Sequence, residues 1–576
     1  MSKTLKINVQ GIGDETLNEH NFIAKGGEGA IYAKGSIAFK IYEDVKKMIP
    51  HGKIRELGEL THPNIVKPEL LITDSKNRVI GHTMKFVKDS LPLGQLLTKA
   101  FRTRNQITPE MMSDLVKKLH EIILHIHSKN ILVVDLNEYN FMVAKKFSEL
   151  YAIDTNCYQT PHYPATAIME HIRDRHAKGW NQGTDWFAWA VVTCNMFIGI
   201  HPYKGGHPRF DSIPADQRLE KRMVANVSVF NKEARVPAAC YPITAIPQNL
   251  KNWYTEVFEK GARTAPPTNF DVGVIATVAT HQIAGTNLFD IKIMKKYDSE
   301  ILGVHSYNGN VVVVTQKSIY YNDRKYAIPA HLSHPLKIGF TPKLARPFAA
   351  LTKNGMVELM DIIDSTPMRI TCAGNEIMSC GNRVYVVNET SVFELDFIES
   401  SFTMVSAIKV GNVLDLPGAT KAFDGVLMQN LLGKMYASIF PEKGKCYQVK
   451  IDELDGHRVI DAKYENNILV VACVSNDGKY HRMTLRFAPD FAKYDCRTVK
   501  DIQFTGLNFT VADHGTSVCI NEEEKVEVVS NAYGRSGVSI FDDSNVVGDM
   551  TLYHIGSTVV FAKDDQLFTF AMKKKP

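Results

Sequence analysis

The stretch Ile131-Leu132-Val133-Val134-Asp135-Leu136-Asn137-Glu138-Tyr139-Asn140-Phe141-Met142-Val143 decides how the first half of this chain reads. Two apolar runs enclose a polar loop, and an acid placed directly after four apolar residues is poorly hydrated unless it has a task or a partner. Nineteen residues past Asp135, Tyr151-Ala152-Ile153-Asp154 repeats the device of an apolar run that ends in a carboxylate. Two carboxylates and an amide gathered at strand ends can hold Mg²⁺ and leave one acid free to orient a hydroxyl nucleophile. Taken singly, each aspartate is equally well a turn cap.

Upstream, Ile23-Ala24-Lys25-Gly26-Gly27-Glu28-Gly29-Ala30-Ile31-Tyr32 lies between two strand patterns. Glycines at Gly26, Gly27 and Gly29 let a backbone hairpin approach the phosphates of a nucleotide closely, although alone they also describe an ordinary hairpin turn. Eleven residues past Gly29, Lys40 sits amid the apolar strand Ile37-Ala38-Phe39-Lys40-Ile41-Tyr42. A lone strand lysine is commonly a solvent-facing residue. After a glycine-rich hairpin it is also where a cation neutralises α/β-phosphate charge.

The order of glycine-rich loop, strand lysine, Asp-x-x-x-x-Asn and second aspartate resembles the protein kinase superfamily. Further residues carry the resemblance over roughly residues 20–280. Thr184-Asp185-Trp186 through Gly199-Ile200-His201-Pro202-Tyr203 is similar to the kinase helix whose opening Asp braces the catalytic loop and whose end is a G-x-x-P-[FY] turn. His62-Pro63-Asn64-Ile65-Val66 is similar to the turn before the fourth strand. Glu170 and Arg263 fall where the late ion pair of the activation segment belongs. The resemblance implies an atypical protein serine/threonine kinase. In it, Lys40 contacts the α/β-phosphates, Asp135 is the catalytic base, Asn140 and Asp154 bind Mg²⁺, and Asp185 is structural. Gly26, Gly27, Gly29 and Ile31 would cover ATP; Met84 is placed like the gatekeeper and Lys85 to Val87, with Phe86 at the centre, like the hinge that meets adenine.

Several positions depart from the usual kinase pattern. The catalytic triplet is Val133-Val134-Asp135, without His and Arg, and Asn137 stands where a lysine is usual. The metal triplet is Asp154-Thr155-Asn156. Counting back from His62-Pro63 puts Lys53, not a glutamate, where the partner of Lys40 is expected, with Glu56 one turn further on. The segment from Asp154 to Glu170 is short, leaving little room for a phosphorylation switch. These departures, with Thr160-Pro161-His162-Tyr163-Pro164 and His201-Pro202-Tyr203-Lys204-Gly205, resemble an atypical bacterial or bacteriophage lineage of Ser/Thr-kinase-like proteins.

The expected fold is therefore α+β and bilobal over 1–285, with a small β-rich lobe over about 1–87 and an α-rich lobe over about 88–285. The best helix pattern has Thr108 as cap, Pro109 in the first turn and Met112, Leu115, Val116, Leu119, Ile122, Ile123 and Ile126 on one stripe. From 286 to 576 the pattern changes to short apolar runs punctuated by turn residues, such as Val311 to Val314 after Asn308-Gly309 and Ile468 to Val471 before Asn476-Asp477-Gly478. Hairpins in series at about 40 residues per cluster suit an all-β domain, a β-propeller of six or seven blades, with a pair of packed sheets as the alternative.

Composition sets the remaining bounds. The 576 residues suffice for two to four folded units at roughly 100–200 residues each, and 44% hydrophobic with 22% charged residues is a globular balance. A net charge of +5 over so long a chain gives little attraction for a phosphate backbone, so nucleic acid is not an expected partner. Nine cysteines without a C-x-x-C argue against a disulfide framework or structural zinc. The apolar run Trp186 to Ile200 is shorter than the roughly 20 residues of a membrane span. No leader is evident, no membrane is expected, and the expected location is cytoplasmic: the host cytoplasm if phage-encoded, with virion association as a further option.

Two functions remain open at this point. The first is an ATP- and Mg²⁺-dependent protein (Ser/Thr) kinase-like phosphotransferase whose propeller binds a partner or substrate protein. The second is a weak pseudokinase, scaffold or phage structural protein that binds nucleotide without efficient turnover. A small-molecule kinase is disfavoured by the Trp-rich helix and the late Glu170/Arg263 pair.

Overall fold

The computed structural model describes residues 4–18, 21–25, 28–144, 146–166, 168–269, 288–329, 336–399, 403–413, 419–431, 433–475, 478–502, 506–535, 537–543 and 545–573. The chain begins as a seven-stranded sheet. Its strands are β1 (Leu5–Val9), β2 (Gly13–Leu17), β3 (Phe22–Lys25), β4 (Gly29–Lys34), β5 (Ile37–Tyr42), β6 (Leu71–Thr73) and β7 (Val79–Lys85), in the order β2-β1-β6-β7-β5-β4-β3. One face buries Ile7, Val9, Leu17, Phe39 and Ile72. The register sets Lys40 between Ile31 on β4 and His82 on β7. Between β5 and β6 lie a 3₁₀ turn (Val45–Lys47) and the short helix α1 (His51–Leu57).

Beyond the sheet the longer regular elements among the described residues are helices: α2 (Lys99–Arg104), α3 (Pro109–Ser128), α4 (Gln182–Ile198), α5 (Ala215–Ala225) and α6 (Gln248–Lys260). Helix α3 starts where Thr108 and Pro109 predict, with the Met111 N–H donating to the Thr108 hydroxyl at 3.3 Å. All seven residues of its expected stripe are buried. Helix α4 is apolar on every side because it runs through the middle of this core, with Trp186 and Trp189 packed edge to face and Trp253 against Trp189. A reciprocal box of Asn181 and Thr184 caps its start, and Gly199, at φ 76°, ends it in the left-handed region that glycine adopts without a Cβ penalty. Among the described residues no helix is long and apolar enough to cross a membrane. A small sheet of β8 (Leu91–Pro92), β9 (Phe141–Ala144) and β10 (Glu149–Ala152) adjoins the polar loop at 135–140.

The expected boundary near 285 falls outside the described residues. Among the described residues from β11 (Phe289–Lys296) onward, the strands form seven four-stranded antiparallel sheets, with a single 3₁₀ turn at Asp452–Leu454. Six are consecutive meanders, spanning 301–327, 337–368, 376–412, 420–450, 458–500 and 509–541. The seventh joins the last three strands, within 551–572, to β11. Each sheet packs on its neighbour through an apolar seam, and Val313 of the first meets Val560 and Leu567 of the seventh, closing the series on itself. A pair of stacked sheets is not what forms. All nine cysteines are free.

Candidate active site

The loop after Ile131 is held from behind. Asp185, fully buried near the start of α4, accepts the Val133 N–H at 2.8 Å and the Val134 N–H at 2.9 Å, and its Oδ2 lies 2.9 Å from His127 Nε2 on α3. Val134 sits at φ 62°, a left-handed conformation that is a strained outlier for a β-branched residue, and the two amide contacts to one carboxylate fix it there. This places Asp135 at the front of the loop. Asn140 donates from Nδ2 to the Asp135 carbonyl at 2.9 Å and to its carboxylate at 3.2 Å, and its own carbonyl accepts the Ile153 N–H at 2.9 Å. The two carboxylate-ended runs of the sequence thus meet at Asn140.

Asp154, also at positive φ (57°), turns its carboxylate toward the sheet, with Oδ1 3.7 Å from Lys40 Nζ. A second carboxylate is closer still: Glu28 Oε2 is 2.6 Å from the same ammonium. Lys40 also lies over the Tyr42 ring, 5.1 Å from its centroid. Burial works against the lysine charge, but Asp154, Tyr42 and Glu28 outweigh it, so the ammonium titrates above its ordinary value. Behind it, His82 is buried with neither ring nitrogen hydrogen-bonded, and burial followed by the nearby Lys40 charge pushes its pKa down to about 3. Burial beside Asp154 pushes the Cys157 thiol up to about 12, which makes it an unreactive neighbour.

The remaining expected contacts line the same cleft in part. Ile31 is half-buried opposite Lys40, and Gly29 lets β4 press onto β5, since a Cβ there would stand 2.1 Å from the Ile41 carbonyl oxygen. Gly26 and Gly27 lie outside the described residues. Met84 packs with Val66, Ala144 and Tyr151. The Phe86 N–H donates to the Ser36 carbonyl at 2.8 Å, so that donor belongs to the sheet and is not available to a base edge. For magnesium, Asn140 uses its amide nitrogen on Asp135 and so has its oxygen to offer, and the Asp154 carboxylate is 41% exposed. Two oxygen donors with the rest of the shell left to phosphates and water is the kind of site that Mg²⁺ takes, so these residues fit it. Among the described residues no group of three or more His, Cys, Asp and Glu could hold a metal by itself.

The question left open beside Lys40 has an answer, and the late ion pair needs correction. Lys53 does face inward from α1, but it is a tether: its ammonium donates to the Asn156 carbonyl at 2.7 Å and the Pro164 carbonyl at 3.3 Å, and burial lowers its pKa. Glu56 does not approach Lys40 either; its carboxylate lies 2.7 Å from His162 Nδ1. The late ion pair is Arg263 with Asp174, at 2.5 and 2.8 Å, while Glu170 turns to Arg173 and Arg175. The segment that begins at Asp154 is thus anchored four residues later than Glu170. Asp174 is buried and Glu170 exposed, so the carboxylate that Arg263 meets is shielded from solvent while the one that Arg173 and Arg175 meet sits at the surface.

No local motif marks the contact that the β-rich half makes with this loop. Glu138 is buried between two partners: His171 Nε2 at 3.0 Å, and the Tyr480 hydroxyl, which donates to its other oxygen. Arg458 covers the Tyr139 ring at 4.6 Å, and Lys204 donates to the Ile502 carbonyl at 2.7 Å. Gly478, at φ 79°, packs so closely on Met169 and His171 that a Cβ would lie 3.0 Å from both side chains. The Met169 N–H in turn donates to Asp135 Oδ1 at 2.8 Å. A cavity of about 220 Å³ remains between the halves, bordered by Glu138, His171, Lys204, Tyr480 and Asp501.

No protein-family model matches the chain. Over 138 residues, 23% of this chain, the sequence is 27% identical to mitogen-activated protein kinase kinase kinase dlk-1 of Caenorhabditis briggsae. The match spans 15% of that protein's own length. It points to a relationship with protein kinases.

Proposed function

We propose that the chain is an atypical, ATP- and Mg²⁺-dependent protein serine/threonine kinase. Residues 1–285 form the bilobal kinase-like unit and 286–576 a seven-bladed β-propeller that engages a partner or substrate protein. The observation that carries this reading is the approach of Lys40 to Asp154 at 3.7 Å, in a cleft whose other side presents Asp135 and Asn140. In this reading Lys40 neutralises phosphate charge, and Asn140 and Asp154 hold the metal, which supplies charge stabilisation when bound. Asp135 orients the acceptor hydroxyl and takes its proton through Oδ1 once the Met169 amide has moved off it. Transfer of labelled phosphate from ATP, with Asp135→Asn as control, tests the reading; equal transfer by the two proteins rejects it.

That Met169 contact also favours the second reading, a nucleotide-binding scaffold. The Met169 amide occupies Oδ1 of Asp135, the oxygen that the first reading needs for the acceptor hydroxyl. Thermal-shift titration separates the two, since stabilisation by Mg·ATP without turnover is the scaffold's signature. The bacteriophage lineage and a cytoplasmic location belong to this proposal as well, and expression of a tagged full chain during infection tests both.

A further inference from the structure

Lys40 lacks the helix-borne acid that the kinase-like reading calls for. Lys53 points into that space and is spent on two carbonyls, and Glu56 is spent on His162. Yet the ammonium is not left to Asp154 alone, because Glu28 stands 1.1 Å nearer, at 2.6 against 3.7 Å. The backbone beneath Glu28 is fixed. Its carbonyl accepts the Glu43 N–H at 3.1 Å, extending the β4–β5 ladder, and Gly29 allows the close strand contact described above.

We infer that Glu28, carried by the glycine-rich loop, is the counter-ion that positions Lys40, taking over from the helix the task of holding the lysine extended into the cleft. The inference rests on the phosphotransferase reading for its consequence in catalysis, but the pairing itself does not. Its chemistry is simple. An ammonium has three donors; Glu28 takes one, Asp154 faces a second, and one remains for a phosphate oxygen. In the reading above Asp154 is committed to the metal, which leaves Glu28 as the lysine's own partner. The other groups facing the ammonium, Tyr42 and His82, supply a ring face and a neutral imidazole and cannot replace a carboxylate. Glu28 is a positioning residue, since it acts through Lys40.

The test uses the full chain as wild type, Glu28→Gln and Glu28→Asp. Acylation of Lys40 by an acetyl N-hydroxysuccinimide ester at pH 8.5, followed by peptide mass spectrometry, reads the pairing without any need for activity. Loss of the carboxylate is expected to raise the Lys40 rate at least fivefold, with Glu28→Asp closer to wild type and a distant lysine such as Lys325 unchanged. Equal Lys40 rates in wild type and Glu28→Gln overturn the inference. In the same proteins, Glu28→Gln is expected to bind Mg·ATP as tightly as wild type or tighter, because an anion beside the phosphates is gone, and to transfer phosphate at least tenfold more slowly. Unchanged transfer overturns the positioning role, and binding and transfer that fall together mark a merely structural residue and overturn it too. Failure of ATP to protect Lys40 in the wild type rejects the phosphotransferase reading instead, and the labelling comparison still decides the pairing.

Discussion

Asp185 shows how much one side chain can carry. It offers two oxygens to two backbone amides and a histidine, all within a fully buried pocket. Asp185→Ala leaves Val133 and Val134 with unpaired amides, and at about 1–3 kcal/mol for each stranded buried group the loss should reach about 3 kcal/mol or more. Urea denaturation is expected to show it as a lower midpoint. His82 makes the opposite case, a buried imidazole with no hydrogen bond. Because its folded pKa is depressed to about 3, the fold keeps the ring neutral, and stability is full above pH 6.5 and falls as acid drives protonation of the unfolded chain. The slope is on the order of 1 kcal/mol per pH unit between pH 6.5 and 3. His82→Leu should remove this component. Melting temperatures of variant and wild type, compared at pH 7.5 and 5, should diverge in the variant's favour at the lower pH.

At the scale of elements, legibility followed the distance over which a residue's partner lies. The start of α3 was readable because a Thr cap and a Pro in the first turn act on amides three residues away, and the apolar run of α4 declared a helix buried on all sides. Lys40, Asp135, Asn140 and Asp154 were readable as candidates because each sits in a local run whose polarity is out of place. Their partners were not, since Glu28, Asp174 and Tyr480 are chosen by tertiary packing, and an acid between two glycines carries no mark of which ammonium it will meet. Strand β11 was equally hidden, because its pairing partner lies at the far end of the chain. Phe289 on that strand is buried and stacked on Phe570 at 4.6 Å. Phe289→Ala should destabilise the β-rich half by about 3–5 kcal/mol, visible in differential scanning calorimetry as a downward shift of the transition assigned to that half.

For the whole molecule, the contact between the halves converges on Glu138. Its burial alone would raise the carboxyl pKa, but His171 and Tyr480 reverse this and hold it down at about 2. A depressed carboxyl contributes stability that is full above its ordinary value near 4.5 and is lost as pH falls toward 2. Docking of the halves should therefore weaken across pH 4.5 to 2. Tyr480→Phe removes one of the two partners and should move that loss to higher pH, seen as faster hydrogen exchange in residues 133–140 and 168–172 at pH 4.5 than in wild type. Gly478→Val should loosen the same contact at neutral pH, with earlier protease cleavage near 478 as the readout.

The pairing of β11 with the final strand has a mechanical meaning. Phe289 lies opposite Met572, and the Lys573 N–H closes onto the Leu288 carbonyl at 2.9 Å, so both ends of the β-rich half leave from one point. A load applied between those ends peels the ladder from its outermost rung, one hydrogen bond after another, where a staggered arrangement would have resisted in shear. In an optical trap this half should yield at low force from the Phe289 side, uncoiling β11 before any other strand gives way.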